Sequence, residues 1–101
     1  MSTQQTICMV EAINLALHHA MKVDDNVVLL GEDVGTNGGV FRATVGLKES
    51  FGMKRVMDTP LAENMLAGLS IGMAAQGLKP IAEIQFLGFI FPAMEHIICH
   101  A

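Results

Sequence analysis

The chain has no tryptophan and no tyrosine. Apart from five phenylalanines it therefore lacks the aromatic platforms on which nucleic-acid modules stack bases. Positive charge is also scarce: six Lys and Arg stand against ten Asp and Glu, for a net charge of -4. No basic run stands out, so nucleic acid is not the expected partner. Cys8 and Cys99 are far apart and outside any CxxC pattern. They read as free thiols in a reducing compartment rather than as a structural disulfide. Ser70, Gln76, Glu83 and Pro92 break up the apolar stretches, and none supplies the ~18 uncharged apolar residues of a spanning helix. The opening MSTQQTICMVEA lacks the pattern of a signal peptide. The expected setting is the cytoplasm, or the mitochondrial matrix for a eukaryotic source. Gly31, Gly35, Gly38 and Gly39 make no phosphate loop, because neither GxGxxG nor GKS/GKT occurs.

What is present is apolar: 51% hydrophobic residues and a mean hydropathy of +0.46. In 101 residues this fits one small domain with extensive burial, some of it against a partner. Residues 7–21 carry Val10, Ile13, Leu17 and Met21 at helical spacing, with Thr6 as a cap. Asn26–Leu30 is a short apolar run, read as a buried parallel strand. Residues 35–39 form a loop, 42–50 a short helix ended at Gly52, and Arg55–Asp58 a second strand. Residues 62–76 form an apolar helix with Gly77 as its C′ residue. Ile81–Phe86 is a third strand, and the chain turns helical again from Gly88. Alternating helices and strands predict a parallel sheet flanked by helices, an α/β fold. The run ends on a helix reading IICHA, and three strands leave two raw edges. The expectation is therefore one piece of a larger fold.

Glu63 follows the strand–Thr59-Pro60 turn and falls in the first turn of a helix, where the dipole favours a carboxylate. It is either an ordinary helix-start acid or a buried carboxylate aimed into the crevice beyond a strand end, where open α/β sheets bind ligands. Gly68, Gly72 and Ala75 share one helix face, suited either to packing on the chain's own sheet or to a neighbouring subunit. His18 and His19 complement the C-terminal end of the first helix. His96 and His100 stand one turn apart around Cys99, while Glu95 is expected on another side of that helix. Two ligands on one turn are a weak signal, and no metal site is expected. Cys99 is not expected to be a catalytic thiol. Phe86, Phe89 and Phe91 read as core and interface packing.

The runs GEDVGTNGGVFRATVGLKESFG and RVMDTPLAENMLAGLSIGMAAQGLKPIAEIQFLGFIFPAM carry more information than any single spacing. GED, DTPLAE, the glycine helix and EIQF follow in order, and from about residue 7 the chain resembles the β subunit of the E1 component of 2-oxoacid dehydrogenase complexes. The wording is nearest to pyruvate-type subunits. The resemblance implies a thiamine-diphosphate-binding fold, with residues 1–101 forming the N-terminal part of a transketolase-like pyrimidine-binding domain and the second, C-terminal domain absent.

It also implies that Glu63 hydrogen-bonds a pyrimidine nitrogen of thiamine diphosphate. That contact promotes the imino tautomer, whose exocyclic nitrogen removes the thiazolium C2 proton. Leu61, Gln85 and Phe89 are placed around the pyrimidine, with Phe89 stacked on it and Glu32 near the same pocket. Thiamine enzymes follow this glutamate with a glycine pattern that here reads Glu63, Gly68, Leu69 and Gly72, with Met73 where a Gln often stands. That departure weakens a role for the Met73 side chain and leaves the glutamate untouched. The GDG…Asn diphosphate signature is absent. In this family it belongs to the α subunit, which implies cofactor and Mg2+ held between chains in a heterotetramer of two α and two β subunits. The glycine stripe then reads as a subunit contact. The implied activity is oxidative decarboxylation of pyruvate or a branched-chain 2-oxoacid, with acyl transfer to lipoyl groups of the E2 component. Two other readings stand beside it: a truncated binding or assembly fragment, and the β subunit of an acetoin dehydrogenase.

Overall fold

The computed structural model describes residues 6–101. Residues 1–5, where the stretch inspected for a signal peptide begins, lie outside the described residues. Helix α1 (Met9–Val23) leads into strand β1 (Val27–Gly31). Helix α2 (Leu47–Phe51), strand β2 (Val56–Asp58), helix α3 (Glu63–Ala75) and strand β3 (Lys79–Glu83) follow. A 3-10 segment (Leu87–Ala93) then runs into helix α4 (Met94–His100). The sheet has the order β2-β1-β3, with both pairings parallel. This is the expected parallel sheet with flanking helices.

β1 is central, and all of its residues are buried. That is why it reads as an unbroken apolar run rather than an alternating one. Val27 and Leu29 join Met21, Val34, Leu47 and Val56 in the core between the sheet and α1 and α2. Alternation sends Val28 and Leu30 to the other face, the side on which α3 buries Leu66 and Ala67. Helix α3 lies against β3, the 3-10 segment and α4.

Four local expectations are corrected. Thr6 does not cap α1; Cys8 does, donating Sγ–H to Glu11 Oε1 at 3.0 Å while Glu11 also accepts the Cys8 backbone N–H at 3.5 Å. A first-turn glutamate reaching back to the cap residue sets the boundary. Residues 42–46 are turns, and only Leu47–Phe51 is helical. Asn14 Nδ2 donates to the carbonyls of Ala43 and Val45 at 3.0 and 2.9 Å, and His18 Nε2 pairs with Val45 O at 3.2 Å. Those carbonyls are thus committed to α1, and Gly46 sits at φ +81°. β3 starts at Lys79 and ends at Glu83 rather than running Ile81–Phe86. Lys79 N–H donates to Asn26 O at 2.8 Å, and Pro80 is tolerated because β3 is an edge strand. The helix expected from Gly88 begins as 3-10, with Pro92 inside it, since proline removes a helix donor.

Candidate functional site

The three strands finish level: Gly31 pairs with Asp58 on one side and with Glu83 on the other. The next residues in each segment therefore gather at one edge, the carboxyl end of a parallel sheet. Glu32 leaves β1, Thr59 and Pro60 leave β2, and Gln85 stands just past β3. Thr59 N–H donates to Gly31 O at 2.9 Å, extending the ladder by one residue. Ala62 N–H then donates to Pro60 O at 2.9 Å, and the chain bends into α3. Ala62 is extended at φ -155° as the N-cap, which makes Glu63 the first helical residue. This tight turn carries Glu63 back to the strand ends.

Gly31 lets the strand ends approach each other. A Cβ there would lie 2.8 Å from Val34 Cγ1 and 3.2 Å from both Glu83 Cβ and Glu83 O. The following loop folds over the same edge. Gly39 N–H donates to Asp33 O at 2.8 Å, and the buried Thr44 hydroxyl donates to Val34 O at 2.7 Å.

The electrostatics of this edge are acidic. Glu32 is only 6% exposed. Burial pushes its pKa above the ordinary carboxylate value, and the charge of Glu63, a hydrogen bond with Glu63, and the charges of Asp33 and Glu83 push it further. Burial likewise raises Glu83. Both acids are thereby biased toward the neutral form, which can donate as well as accept a hydrogen bond. Glu32 Oε2, Thr59 Oγ1 and Glu83 Oε2 are buried without a hydrogen-bond partner. Buried polar atoms are ordinarily paired, and here one orphan comes from the end of each strand. Gln85 Nε2 donates to Glu32 O at 3.4 Å, tying the segment after β3 to the end of β1.

Asp58 behaves differently. Burial would raise it, but the N–H groups of Gly35 (2.7 Å) and Thr36 (3.3 Å), the Thr36 hydroxyl (3.3 Å) and the charge of Lys48 outweigh that and hold it low. It is an ionised anchor for the GTNGG segment, which is a loop as expected.

Of the residues singled out in the sequence, Glu32, Glu63 and Gln85 meet at the strand ends. Leu61 (74% exposed) and Phe89 (43% exposed) have largely open side chains. Phe89 packs edge-on to Phe86 at 5.3 Å, and Phe86 edge-on to Phe41 at 5.3 Å. Phe86, Phe89 and Phe91 are thus not core residues, because the 3-10 segment that carries Phe89 and Phe91, and that Phe86 precedes, leaves their side chains exposed. A Cβ on Gly68 would lie 3.8 Å from the His96 ring of α4, whereas Gly72 faces open space and Ala75 is exposed. Cys8 and Cys99 are free and exposed. Sequence reasoning did not single out Thr59, Glu83 or Asp58 as site residues. Their position at or just past a strand end was the available signal. A hollow of about 450 Å³ between α1 and the turns, lined by Val10, Leu15 and Val45 among others, includes none of the strand-end acids.

The strand ends suit a group that exchanges hydrogen bonds along its edge. Orphaned carboxyl and hydroxyl oxygens await hydrogen bonds, and exposed Leu61 and Phe89 offer apolar contact. Among the described residues, no helix is long and apolar enough to cross a membrane.

The chain is 54% identical over 95 residues to the pyruvate dehydrogenase E1 component subunit beta of Acholeplasma laidlawii, covering 94% of this chain and 29% of that protein. It is 58% identical over 92 residues to the 2-oxoisovalerate dehydrogenase subunit beta of Bacillus subtilis (strain 168), covering 91% of this chain and 28% of the relative. It is 49% identical over 96 residues to a 3-methyl-2-oxobutanoate dehydrogenase subunit beta of Mycobacterium tuberculosis, covering 95% and 28% respectively. The chain thus spans less than a third of the length of these relatives. The family described as transketolase, pyrimidine binding domain, matches residues 5–101, and this chain belongs to it.

Proposed function

We propose that the chain forms the pyrimidine side of a thiamine-diphosphate site in the β subunit of a 2-oxoacid dehydrogenase E1, with pyruvate as substrate. The observation that carries this reading is the pairing of Glu63, at the start of α3, with the buried Glu32, whose Oε2 has no partner. A carboxyl group at that position can hold or move a proton at a ring nitrogen. Glu32, biased toward neutrality by burial and by Glu63, keeps a second negative charge away from that proton. Gln85 fixes the Glu32 backbone, and Leu61 and Phe89 close on the pyrimidine faces. Bound thiamine diphosphate supplies the electron sink for decarboxylation, while the protein supplies orientation and proton handling.

The diphosphate and Mg2+ belong to an E1 α subunit in a heterotetramer of two α and two β subunits. The open Gly72–Ala75 end of α3, continuing from Gly68, lies in the subunit contact. Acyl transfer goes to lipoyl groups of the E2 component. The named relatives are bacterial, and the cytoplasm is the proposed location. The 101-residue chain alone has no turnover. A branched-chain 2-oxoacid is the second reading, favoured by the 58% identity to the 2-oxoisovalerate subunit.

The test assembles the full-length β subunit with its α subunit, thiamine diphosphate and Mg2+, then compares decarboxylation of pyruvate and of 2-oxoisovalerate. Glu63→Gln should lower kcat by at least ~100-fold, the loss expected for a proton-handling group. Near-normal turnover in that variant sinks the assignment, and a preference for 2-oxoisovalerate replaces pyruvate by the second reading.

A further inference from the structure

A separate cluster lies on α4, away from the strand-end acids. His96 and His100 stand one turn apart, with ring centroids 5.4 Å apart. Glu95, expected on another side of the helix, instead reaches both rings. Its Oε1 lies 3.0 Å from His100 Nε2 and its Oε2 lies 3.5 Å from His96 Nδ1. His100 Nε2 thus meets a residue five positions earlier in α4. All three donor atoms lie within 4.8 Å of one another.

Two physical points separate this cluster from an ordinary surface ion pair. The first is spacing. Metal–nitrogen and metal–oxygen bonds of about 2.0–2.1 Å place tetrahedral donors roughly 3.3–3.5 Å apart. The separations of 3.5 Å to His96 and 3.0 Å to His100 run from different oxygens of Glu95, so turning the exposed carboxylate brings one oxygen toward that edge length from both rings. The second is orientation. The His96 side chain is only 33% exposed, and its ring lies over Gly68 of α3, where a Cβ would stand 3.8 Å from Nδ1. The packing of α4 on α3 thus holds one ligand in place before any ion arrives. His100 and Glu95 are exposed and free to adjust.

We propose that Glu95, His96 and His100 bind one divalent first-row transition-metal ion through two imidazole nitrogens and one carboxylate oxygen, with water completing a tetrahedral shell. Imidazole donors select zinc-like ions over Mg2+ and Ca2+, which take oxygen ligands. Bound metal would lock the last turn of α4, and through His96 would tie it to α3. Cys99 lies on the same helix but is not among the clustered donors.

The test is calorimetric titration of the expressed protein, in its native oligomeric state, with Zn2+ in the presence of excess Mg2+. The expected result is one Zn2+ per chain, bound at least ~10-fold more weakly after His100→Asn or Glu95→Gln, the lower end of the loss seen when even an outer-shell partner is removed. Cys99→Ser should bind as wild type does. X-ray absorption should show a nitrogen and oxygen shell near 2.0–2.1 Å and no sulfur near 2.3 Å. Wild-type binding no tighter than that of His100→Asn overturns the proposal, as does sulfur in the shell. His100→Asn and Glu95→Gln alter exposed side chains, so loss of folding does not obscure the result.

Discussion

Gly31→Ala tests the close approach on which the strand-end pocket depends. The substitution adds one methyl group, 2.8 Å from Val34 Cγ1 and 3.2 Å from Glu83 Cβ and O. Val34 is fully buried, so its rotation is limited by the core. Glu83 O is backbone, held in register opposite Gly31, so it yields only if β3 shifts. Overpacking of this kind costs about 1–3 kcal/mol. Gly31 has no positive φ, so alanine accepts the backbone and stiffens the unfolded chain, recovering about 0.4–1 kcal/mol. The net expectation is a loss of about 1–2 kcal/mol. With no Trp or Tyr to report, the assay is urea unfolding followed by far-ultraviolet circular dichroism. The midpoint should fall by roughly 0.5–1 M for an m-value near 2 kcal/mol/M, with m unchanged. Gly88→Ala is the control, since nothing lies within 4 Å of its Cβ position. It should be neutral or slightly stabilising. If Gly31→Ala matches Gly88→Ala, the strand ends are not packed this tightly, and the account of how Glu32 and Glu83 are brought together fails with it.

The remaining predictions concern charge. Glu32 has a raised folded pKa, from burial first and Glu63 second. The native state therefore holds its proton more tightly than the unfolded chain, so this stability is complete below the unfolded pKa and is lost as pH rises through the folded one. Glu32→Gln should gain on wild type as pH climbs above the ordinary glutamate pKa of about 4.3, and parallel stability curves would refute the cause given. Asp58 has the opposite sign: its folded pKa is depressed, so its contribution is present above the unfolded pKa and is lost as pH falls through the folded one. Asp58→Asn exchanges charge-assisted bonds to Gly35 and Thr36 for neutral ones and should cost about 1 kcal/mol at neutral pH. The gap should narrow in acid, and a constant gap would count against ionised Asp58 as the loop anchor. For the assembled enzyme, Glu63→Gln should reduce pyruvate decarboxylation by at least ~100-fold, measured as CO2 release.

The sheet was largely legible because its central strand is buried on both faces and so lacks polar residues. Asn26–Leu30 needed only length and β-branching to be recognised. Helix α3 was legible from its bounds, Pro60 before it and Gly77 after. Elements whose limits depend on partners distant in sequence were not. Nothing local announces that Asn14 and His18 commit the carbonyls of Ala43 and Val45 and leave only Leu47–Phe51 helical. Nor does sequence reveal that Lys79 pairs with Asn26 and starts β3 two residues early. At the site, spacing left Glu63 open between a helix-start acid and a ligand-facing one. The resemblance pointed to Glu32 and Gln85. Thr59 and Glu83 became visible only once three strand ends were seen to stop level.

That alignment also separates the chain's charges. At the amino end of the sheet, Arg55 donates to the carbonyls of Met21, Asp24 and Val27, and Lys79 pairs with Asp24 at 2.6 Å. At the carboxyl end, Lys48 is engaged with Thr36. Among the described residues, Glu32, Glu63 and Glu83 have no Lys, Arg or His ion-pair partner. A cluster of carboxyls with orphaned oxygens is costly unless protons or positive charge arrive from elsewhere. An incoming group that donates hydrogen bonds from a ring edge and carries positive charge nearby relieves this cost, whereas an anion increases it. Under the proposed function the acids face the electropositive, heteroaromatic part of the cofactor and leave its phosphates to another surface. On this ground we propose that Glu63 belongs to a divided site, with a second chain holding the anionic remainder of the cofactor.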